Sequence, residues 1–260
     1  PWWFWRRVAE RTDYHSATDA LLARISVAPG NEQRREMDTL IRLLHSSGVW
    51  ARLDGLHIFA AHTSQAALLN WKANQFNGTL VDAPTFTANR GYQGDGVNDR
   101  IDLNYNPNSP PAGNKFTLND AHMGMWSLTD LPVSTNSNSN DFGAGNSWVG
   151  RLGTTAGTAT VRSNRGTSTT LAGALPGHVG WNRADASNHS QYAAGVTSGA
   201  VAAASTAFHA NGFFALSASG TLWGRNQLAA VHWGGSMTAN QWRDLYRGLR
   251  RYLRYLGAVA

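Results

Sequence analysis

The sequence predicts a mainly β fold, an antiparallel sandwich or barrel, with helices near both ends of the chain. Between Thr79 and Trp233, short alternating or β-branched runs are separated by Gly, Asn, Ser, Asp and Pro. This pattern is typical of many short strands joined by turns and not of βαβ units. Helical periodicity is strongest in residues 31 to 47 and 238 to 256. With 260 residues, of which 42% are hydrophobic, the chain can bury a substantial core.

The first fifteen residues, PWWFWRRVAERTDYH, are aromatic and basic without a clear period. An exposed run of large aromatic side chains promotes association. We therefore expect this run to pack against the protein's own core or to dock on a partner, and we favour both over a membrane-interface anchor because the run is short. The predicted docking residues are Trp2, Trp3, Phe4 and Trp5.

The next segment predicts two helices and a strand. Ser16 resembles a helix-capping start and is followed by a short apolar face, which Pro29 and Gly30 interrupt. A second helix over residues 31 to 47 carries a single apolar stripe and stops at Gly48. The segment LHIFAA, residues 56 to 61, predicts a buried strand, and residues 64 to 71 predict a helical turn or two.

The composition changes near residue 77, where the β pattern begins. This change divides the chain into a helical attachment region, residues 1 to 76, and a β domain, residues 77 to 260. Within the β domain, residues 134 to 147 (STNSNSNDFGAGNS) have few apolar side chains and predict a mobile loop. Residues 184 to 188 predict the connection of a hairpin.

A closing helix over residues 238 to 256 is the clearest local prediction. Thr238 and Gln241 form a capping-box pattern, and Gly257 follows the last turn. Seven large apolar or aromatic residues share one face. Five arginines lie elsewhere on the helix: Arg243, Arg247, Arg250, Arg251 and Arg254. We favour a solvated basic face over a nucleic-acid surface, while an acidic partner subunit or an acidic polysaccharide stays open.

Composition excludes several kinds of chemistry. The net charge is +6, and the absence of cysteine excludes disulfides, thiolate zinc sites and cysteine nucleophiles. No Glu follows Glu36, so the β domain lacks the residue type that glycosidases most often pair across a groove. The nine histidines form no H-E-x-x-H motif and are interpreted as packing residues. We therefore expect a non-enzyme with no catalytic residues, no metal site and no cofactor.

Hard oxygen donors of the kind that bind calcium cluster after Gly94. Asp95, Asn98, Asp99 and Asp102 supply such donors over one short stretch. A tight turn explains the same residues, since Gly96 tolerates a positive φ and Asp95 can bond its own backbone. We favour the turn.

No apolar run reaches the length that a membrane-spanning helix needs.

Four blocks of sequence carry a family resemblance: GYQGDGVNDRIDLNYNP, FTLNDAHMGMWSLTDL, HVGWNRADASNHSQYAAGV and LWGRNQLAAVHWGGSMTANQWRDLYRGLRRYLRYLGA. Their order resembles the laminin-G/concanavalin A-like jelly-roll domains of bacteriophage and prophage structural proteins. The first block looks like the opening strand pair, the third like the late hairpin, and the last like the closing strand and helix. The resemblance covers residues 77 to 260 and implies a concanavalin-like antiparallel β-sandwich.

The resemblance also implies a function. Such domains occur in tail fibres, head fibres and baseplate parts, so we expect a non-enzymatic virion protein that binds host surface polysaccharide. Its N-terminal region would dock on other virion proteins, and self-association stays open. Nucleic acid is not an expected partner. Two alternatives remain: a purely structural subunit without a ligand, and a polysaccharide-degrading enzyme on the same fold.

Tryptophans near polar loops are the candidate ligand contacts. Aromatic faces pack against the apolar faces of sugars, while Asn, Asp, Arg and Gln bond their hydroxyl groups. Trp126 and Trp233 lie in apolar runs and are assigned to the core. For each remaining tryptophan, a core position is the alternative. The predicted glycan-binding residues are Trp148, Trp181, Arg183, Asn188, Trp223 and Arg225.

Overall fold

The structure is a computed structural model that describes residues 13–131, 138–152, 155–208, 210–219 and 222–260. The predicted docking residues Trp2, Trp3, Phe4 and Trp5 lie outside the described residues. The helices are α1 (Ser16–Leu22), α2 (Asn31–Ser46), α3 (Ser64–Ala67) and α4 (Ala239–Tyr255), with a 3-10 turn at Trp50–Arg52. The strands are β1 (Leu53–Ile58), β2 (Thr79–Val81), β3 (Thr85–Thr87), β4 (Gly91–Gln93), β5 (Arg100–Asp102), β6 (Ala121–Ser127), β7 (Asn138–Ala144), β8 (Ser147–Leu152), β9 (Ala159–Ser163), β10 (Thr169–Leu171), β11 (Gly177–Arg183), β12 (Asn188–Ala193), β13 (Val196–Ala202), β14 (Phe214–Ala215), β15 (Ser217–Ala218), β16 (Leu222–Trp223) and β17 (Gln227–Gly234).

Two sheets form the predicted sandwich. The first sheet has the order β13-β12-β11-β6-β17-β4-β3, and β1 also pairs with β17. The second sheet has the order β10-β9-β8-β7-β14-β5-β2, with β15 and β16 attached beside β7. Neighbouring strands are antiparallel except β15 and β7, which are parallel. The antiparallel concanavalin-like sandwich with N-terminal helices and a C-terminal helix is thus confirmed.

The core lies between the two sheets and follows from strand alternation. Met123 and Met125 of β6 and Trp233 of β17 point inward from the first sheet. Phe142 of β7 and Val149 of β8 meet them from the second sheet, and all five side chains are buried. Since alternate residues of a strand point to opposite sides, the neighbours of these residues lie on the outer faces.

A helical layer covers the outer face of the first sheet. The apolar stripe of α4 packs with that of α2 in a second cluster of buried residues. Gly180 permits the close approach of α4, because a Cβ atom at this position would lie 2.6 Å from the ring of Trp242. The predicted capping box is present: the backbone N–H of Gln241 donates to Thr238 Oγ1, and the Gln241 side chain accepts from the Thr238 backbone.

Contacts cross the predicted division near residue 77. Strand β1 pairs with β17 in the first sheet, and α2 packs against α4. The described part of the attachment region, residues 13 to 76, therefore shares its apolar contacts with the β domain.

Two local predictions need correction, and two are confirmed. Residues 134 to 147 are predicted as a loop, but this stretch contains strand β7. Pairing with β8 and β14 and the burial of Phe142 stabilise the strand despite the polar composition of the segment. Helix α1 is capped by His15, one residue before Ser16, and His15 Nδ1 accepts from the backbone N–H of Ala17. The hairpin connection between β11 and β12 and the helix stop at Gly48 (φ 74°) are as predicted.

Candidate functional site

The outer face of the second sheet lies on the opposite side of the sandwich from α2 and α4. One transverse row of directly paired residues crosses this face: Thr79, Asp102, Phe214, Gly143, Trp148 and Arg162. Paired residues share a face, and the adjacent Ile101 and Val149 point into the core. With strands about 4.8 Å apart, the row extends over roughly 24 Å.

An arginine and two aromatic rings form a cluster on this face. The guanidinium carbon of Arg100 lies 5.7 Å from the ring centre of Phe214 and 5.5 Å from that of Trp223. Both rings are half-buried, and 27% of the Arg100 side chain is exposed. Two carboxylates flank the arginine: Asp82, whose Oδ2 lies 4.0 Å from Arg100 Nη1, and Asp102, on the same strand face. These five residues are called the Trp223 face below.

A tight turn before β5 orients this cluster. The Asp95 side chain accepts hydrogen bonds from the backbone N–H groups of Val97, Asn98 and Asp99, and Gly96 has φ 79°. Burial raises the pKa of Asp95, but these backbone donors outweigh burial and lower it overall. The turn predicted at these residues is therefore confirmed, and its carboxylate is already occupied by backbone donors.

The segment after Trp223 packs on this turn. A Cβ atom at Gly96 would lie 2.5 Å from Arg225 Cγ, so the stem of Arg225 crosses the turn at the border of the Trp223 face. The following Asn226 is buried and donates to Asp141 Oδ2 at 3.0 Å. Its Oδ1 accepts from the backbone N–H of Leu131. These contacts fix the backbone of the segment that carries Trp223 and Arg225.

Trp148 lies on the same row but is covered. Its side chain is 1% exposed and belongs to neither apolar cluster. The guanidinium carbon of Arg162 lies 5.6 Å from its ring centre, and Arg162 is itself held by Ser168 Oγ and the carbonyl of Gly145. The expectation of an accessible ring at Trp148 is wrong, because an arginine from the neighbouring strand occupies its outer side.

Trp181, Arg183 and Asn188 are not brought to the Trp223 face. Trp181 is 0% exposed and lies in the core because β11 is a central strand with neighbours on both sides. Arg183 is also 0% exposed and donates to backbone carbonyls of Ser163, Asn188 and Ala203. It is a scaffold for the hairpin, not an accessible contact. Asn188 is half-buried on that hairpin.

Four members of the Trp223 face were not among the predicted glycan-binding residues: Asp82, Arg100, Asp102 and Phe214. Arg100 could have been predicted from the sequence. It lies two residues before Asp102 on the same strand, so strand alternation places both side chains on the outward face. Phe214 could not be predicted, since it is adjacent to the fully buried Phe213. Only the pairing of β14 with β5 shows which of the two rings faces outward.

Within the described ranges, no three His, Asp or Glu side chains are grouped so that they could hold a metal ion. In the same residues, no helix combines the length and apolar character needed to cross a membrane.

Comparison with known proteins bears on the fold. No protein-family model matches the chain, and no curated protein has a significantly similar sequence. The binding domain of botulinum neurotoxin serotype D is similar with a TM-score of 0.53 and 11% identity, over 76% of this chain and 52% of that one. A structure of botulinum neurotoxin type C, whose cell entry depends on interaction with two ganglioside molecules, has a TM-score of 0.51 and 11% identity, over 78% and 53%.

A third similar structure is domain 4 of AbnA, an extracellular arabinanase from Geobacillus stearothermophilus, in complex with arabinotriose. Its TM-score is 0.48 at 15% identity, over 75% of this chain and 98% of that domain. This chain thus spans about half the length of the neurotoxin chains and nearly all of the arabinanase domain. The similarity to the two neurotoxin structures, at 11% identity, supports the concanavalin-like fold and nothing beyond the fold.

Proposed function

We propose that this chain is a non-enzymatic carbohydrate-binding protein and that the Trp223 face is its binding site. The observation that carries the proposal is the cluster of Trp223 and Phe214 around Arg100, with carboxylates on either side. Half-buried rings offer flat apolar surfaces to the C–H groups of a sugar. A guanidinium and carboxylates supply donors and acceptors for its hydroxyl groups.

The hydrogen-bonding capacity of Arg100 supports this role. Its side chain is 27% exposed, and its Nη1 atom lies 4.0 Å from Oδ2 of Asp82. The Asp82 side chain is 42% exposed, so a ligand can reach both groups. Together with Arg225 at the border, Arg100, Asp82 and Asp102 carry no net charge, so this face offers an anionic sugar no net electrostatic attraction. The ligand class that fits is therefore an uncharged, hydroxyl-rich glycan.

We further propose that the protein is a virion component, such as a tail fibre, head fibre or baseplate subunit. In this role the Trp223 face would bind host surface polysaccharide. The N-terminal residues Trp2, Trp3, Phe4 and Trp5 would dock on other virion proteins. The sequence resemblance to phage structural proteins supports this placement. The fold similarity to botulinum neurotoxin type C, which interacts with gangliosides, is compatible with glycan recognition on such a sandwich.

The test is adsorption of the purified, fluorescently tagged protein to host cells before and after removal of surface polysaccharide. We expect saturable binding that is lost on removal, and a Trp223→Ala variant that binds about tenfold more weakly because a stacked ring is lost. Tyr255→Ala is the matched control, since it removes a ring that is 41% exposed on α4. Thermal melts of both variants exclude unfolding as the cause.

The alternatives predict different outcomes. A purely structural subunit predicts no saturable adsorption by either the parent protein or the variants. Binding that is lost on polysaccharide removal but unchanged in Trp223→Ala would reject the Trp223 face while keeping carbohydrate binding. Release of shorter polysaccharide fragments on incubation would reject the non-enzymatic assignment.

A further inference from the structure

Four arginines form a line along the outer side of α4. Arg243, Arg247, Arg250 and Arg254 are spaced by four, three and four residues, which places them one above the other on a helix. The line is about 16 Å long, at about 1.5 Å per residue. All four side chains are exposed, and none forms an ion pair within 4.0 Å with a described residue. These four residues are called the arginine stripe.

The surroundings of the stripe carry little negative charge. Residues 186 to 243 contain no Asp or Glu, and this stretch includes β13, which contacts α4. The remaining arginine of the helix, Arg251, lies outside the stripe and pairs with Glu36 of α2 at 3.0 Å. Glu36 of α2 thus neutralises Arg251, on a different side of α4 from the stripe. The one carboxylate on α4, Asp244, lies beside Arg243 and one turn before Arg247, so the stripe and Asp244 together carry a net charge of +3.

A cavity of about 390 Å³ adjoins the stripe at Arg250. Its lining includes Trp126 and Tyr246, whose rings are nearly parallel at 5° with centroids 5.5 Å apart. His178 also lines the cavity and stacks on Trp126 at 5.6 Å. The Nδ1 atom of His178 is buried and has no hydrogen-bond partner. The volume falls within the range of small-molecule sites, about 300–1,000 Å³.

We propose that the arginine stripe and this cavity together bind an acidic polysaccharide. One sugar ring would enter the cavity beside Tyr246, with His178 Nδ1 available for a polar contact. Carboxylate or sulfate groups of the following sugars would pair with the guanidinium groups along α4. A nucleic-acid duplex would also be attracted to the stripe, but a rigid duplex does not place a single ring in a side cavity. A flexible acidic glycan uses both features.

This site is independent of the Trp223 face. The stripe and the cavity lie on the helical side of the first sheet, whereas the Trp223 face lies on the outer side of the second sheet. The two sites also differ in charge, because the Trp223 face with Arg225 has no net charge, whereas the arginine stripe is positive. A Trp223→Ala variant should therefore keep its affinity for acidic polysaccharide. Loss of that affinity in Trp223→Ala would overturn the assignment to α4.

The test is binding of the full chain to heparin, polygalacturonate, carboxyl-reduced polygalacturonate and a short DNA duplex across a range of salt. We expect binding to the two acidic polysaccharides, and little to the neutral form. The double variant Arg247→Gln/Arg250→Gln should bind at least about tenfold more weakly and lower the salt slope by about 2. The matched control is Arg35→Gln/Arg251→Gln, which removes two exposed charges outside the stripe.

A second variant tests the cavity. Tyr246→Ala removes the ring without a charge change, so affinity for polygalacturonate should fall while the salt slope stays the same. Tyr246→Phe keeps the ring and should bind like the parent protein. The proposal is overturned by any of three results: no binding to either acidic polysaccharide at low salt, equal losses in the stripe and control variants, or DNA binding as tight as polysaccharide binding with no effect of Tyr246→Ala.

Discussion

Acidification should destabilise this protein, because four histidines are enclosed in its two apolar layers. His57, His122, His178 and His232 are each at most 1% exposed. Burial lowers the pKa of His57 and His178 to about 3 and that of His122 to about 4. Burial also lowers the pKa of His232 well below 6.5, with His178 adding to the effect. A charged imidazolium in these positions would lose its hydration.

The sign and size of the effect follow from linkage. The unfolded chain takes up these protons near pH 6.5, whereas the folded chain does not take them up until about pH 4 or below. Stability is therefore complete above pH 6.5 and is lost as the pH falls toward the folded-state values. Between pH 8 and pH 5, His57, His122 and His178 each remove about 2 kcal/mol, or about 6 kcal/mol together, and His232 acts in the same direction. Because a domain's total stability is about 5–15 kcal/mol, we expect unfolding near pH 5.

The assay is urea unfolding followed by tryptophan fluorescence from pH 8 to pH 5. Near pH 5.5, the free energy of unfolding should fall by about 4 kcal/mol per pH unit from His57, His122 and His178, with His232 adding to the slope. The variant His57→Phe replaces a ring that packs against Trp233 and Phe59, each 5.7 Å away. It should reduce that slope by about one quarter, whereas Phe59→Leu, a control in the same cluster, should leave the slope unchanged. A stability that is constant between pH 8 and pH 5, or a slope unaffected by His57→Phe, would refute this reasoning.

Three further predictions concern stability in urea. Gly180→Ala should lower the free energy of unfolding by about 2–3 kcal/mol, because the new Cβ atom would lie 2.6 Å from the ring of Trp242 and against the carbonyl of Met123. An unchanged urea midpoint would mean that α4 moves away from the sheet at no cost. Thr238→Ala should cost about 1 kcal/mol by removing the cap of α4, and Thr238→Ser should restore it. Arg183→Met should lower the free energy of unfolding by about 3 kcal/mol or more, since buried carbonyl groups lose their hydrogen-bond donor. Glycan binding should stay intact. A binding defect in the folded variant would show that Arg183 belongs to the ligand site.

The sequence by itself was sufficient for features that depend on neighbours along the chain. The capping box of α4 joins Thr238 to Gln241, and the turn at Asp95 bonds residues two to four positions later. Both can be predicted because their partners lie within one turn of backbone. The sandwich itself was predicted from many short strands, and the family resemblance selected its concanavalin-like form. The cap and the turn depend on local conformation, and the sandwich was predicted from a repeated sequence pattern.

Only the tertiary structure decided which predicted site residues can reach a ligand. Trp181 and Trp223 have similar local contexts, each a tryptophan followed closely by polar residues. The first lies on central strand β11 and is enclosed, whereas the second lies on the two-residue strand β16 and stays half-exposed. Arg100 meets Phe214 across paired strands more than a hundred residues apart in the chain. Side-chain exposure depends on what the neighbouring strands bring over each residue, and strand neighbours are set by long-range pairing.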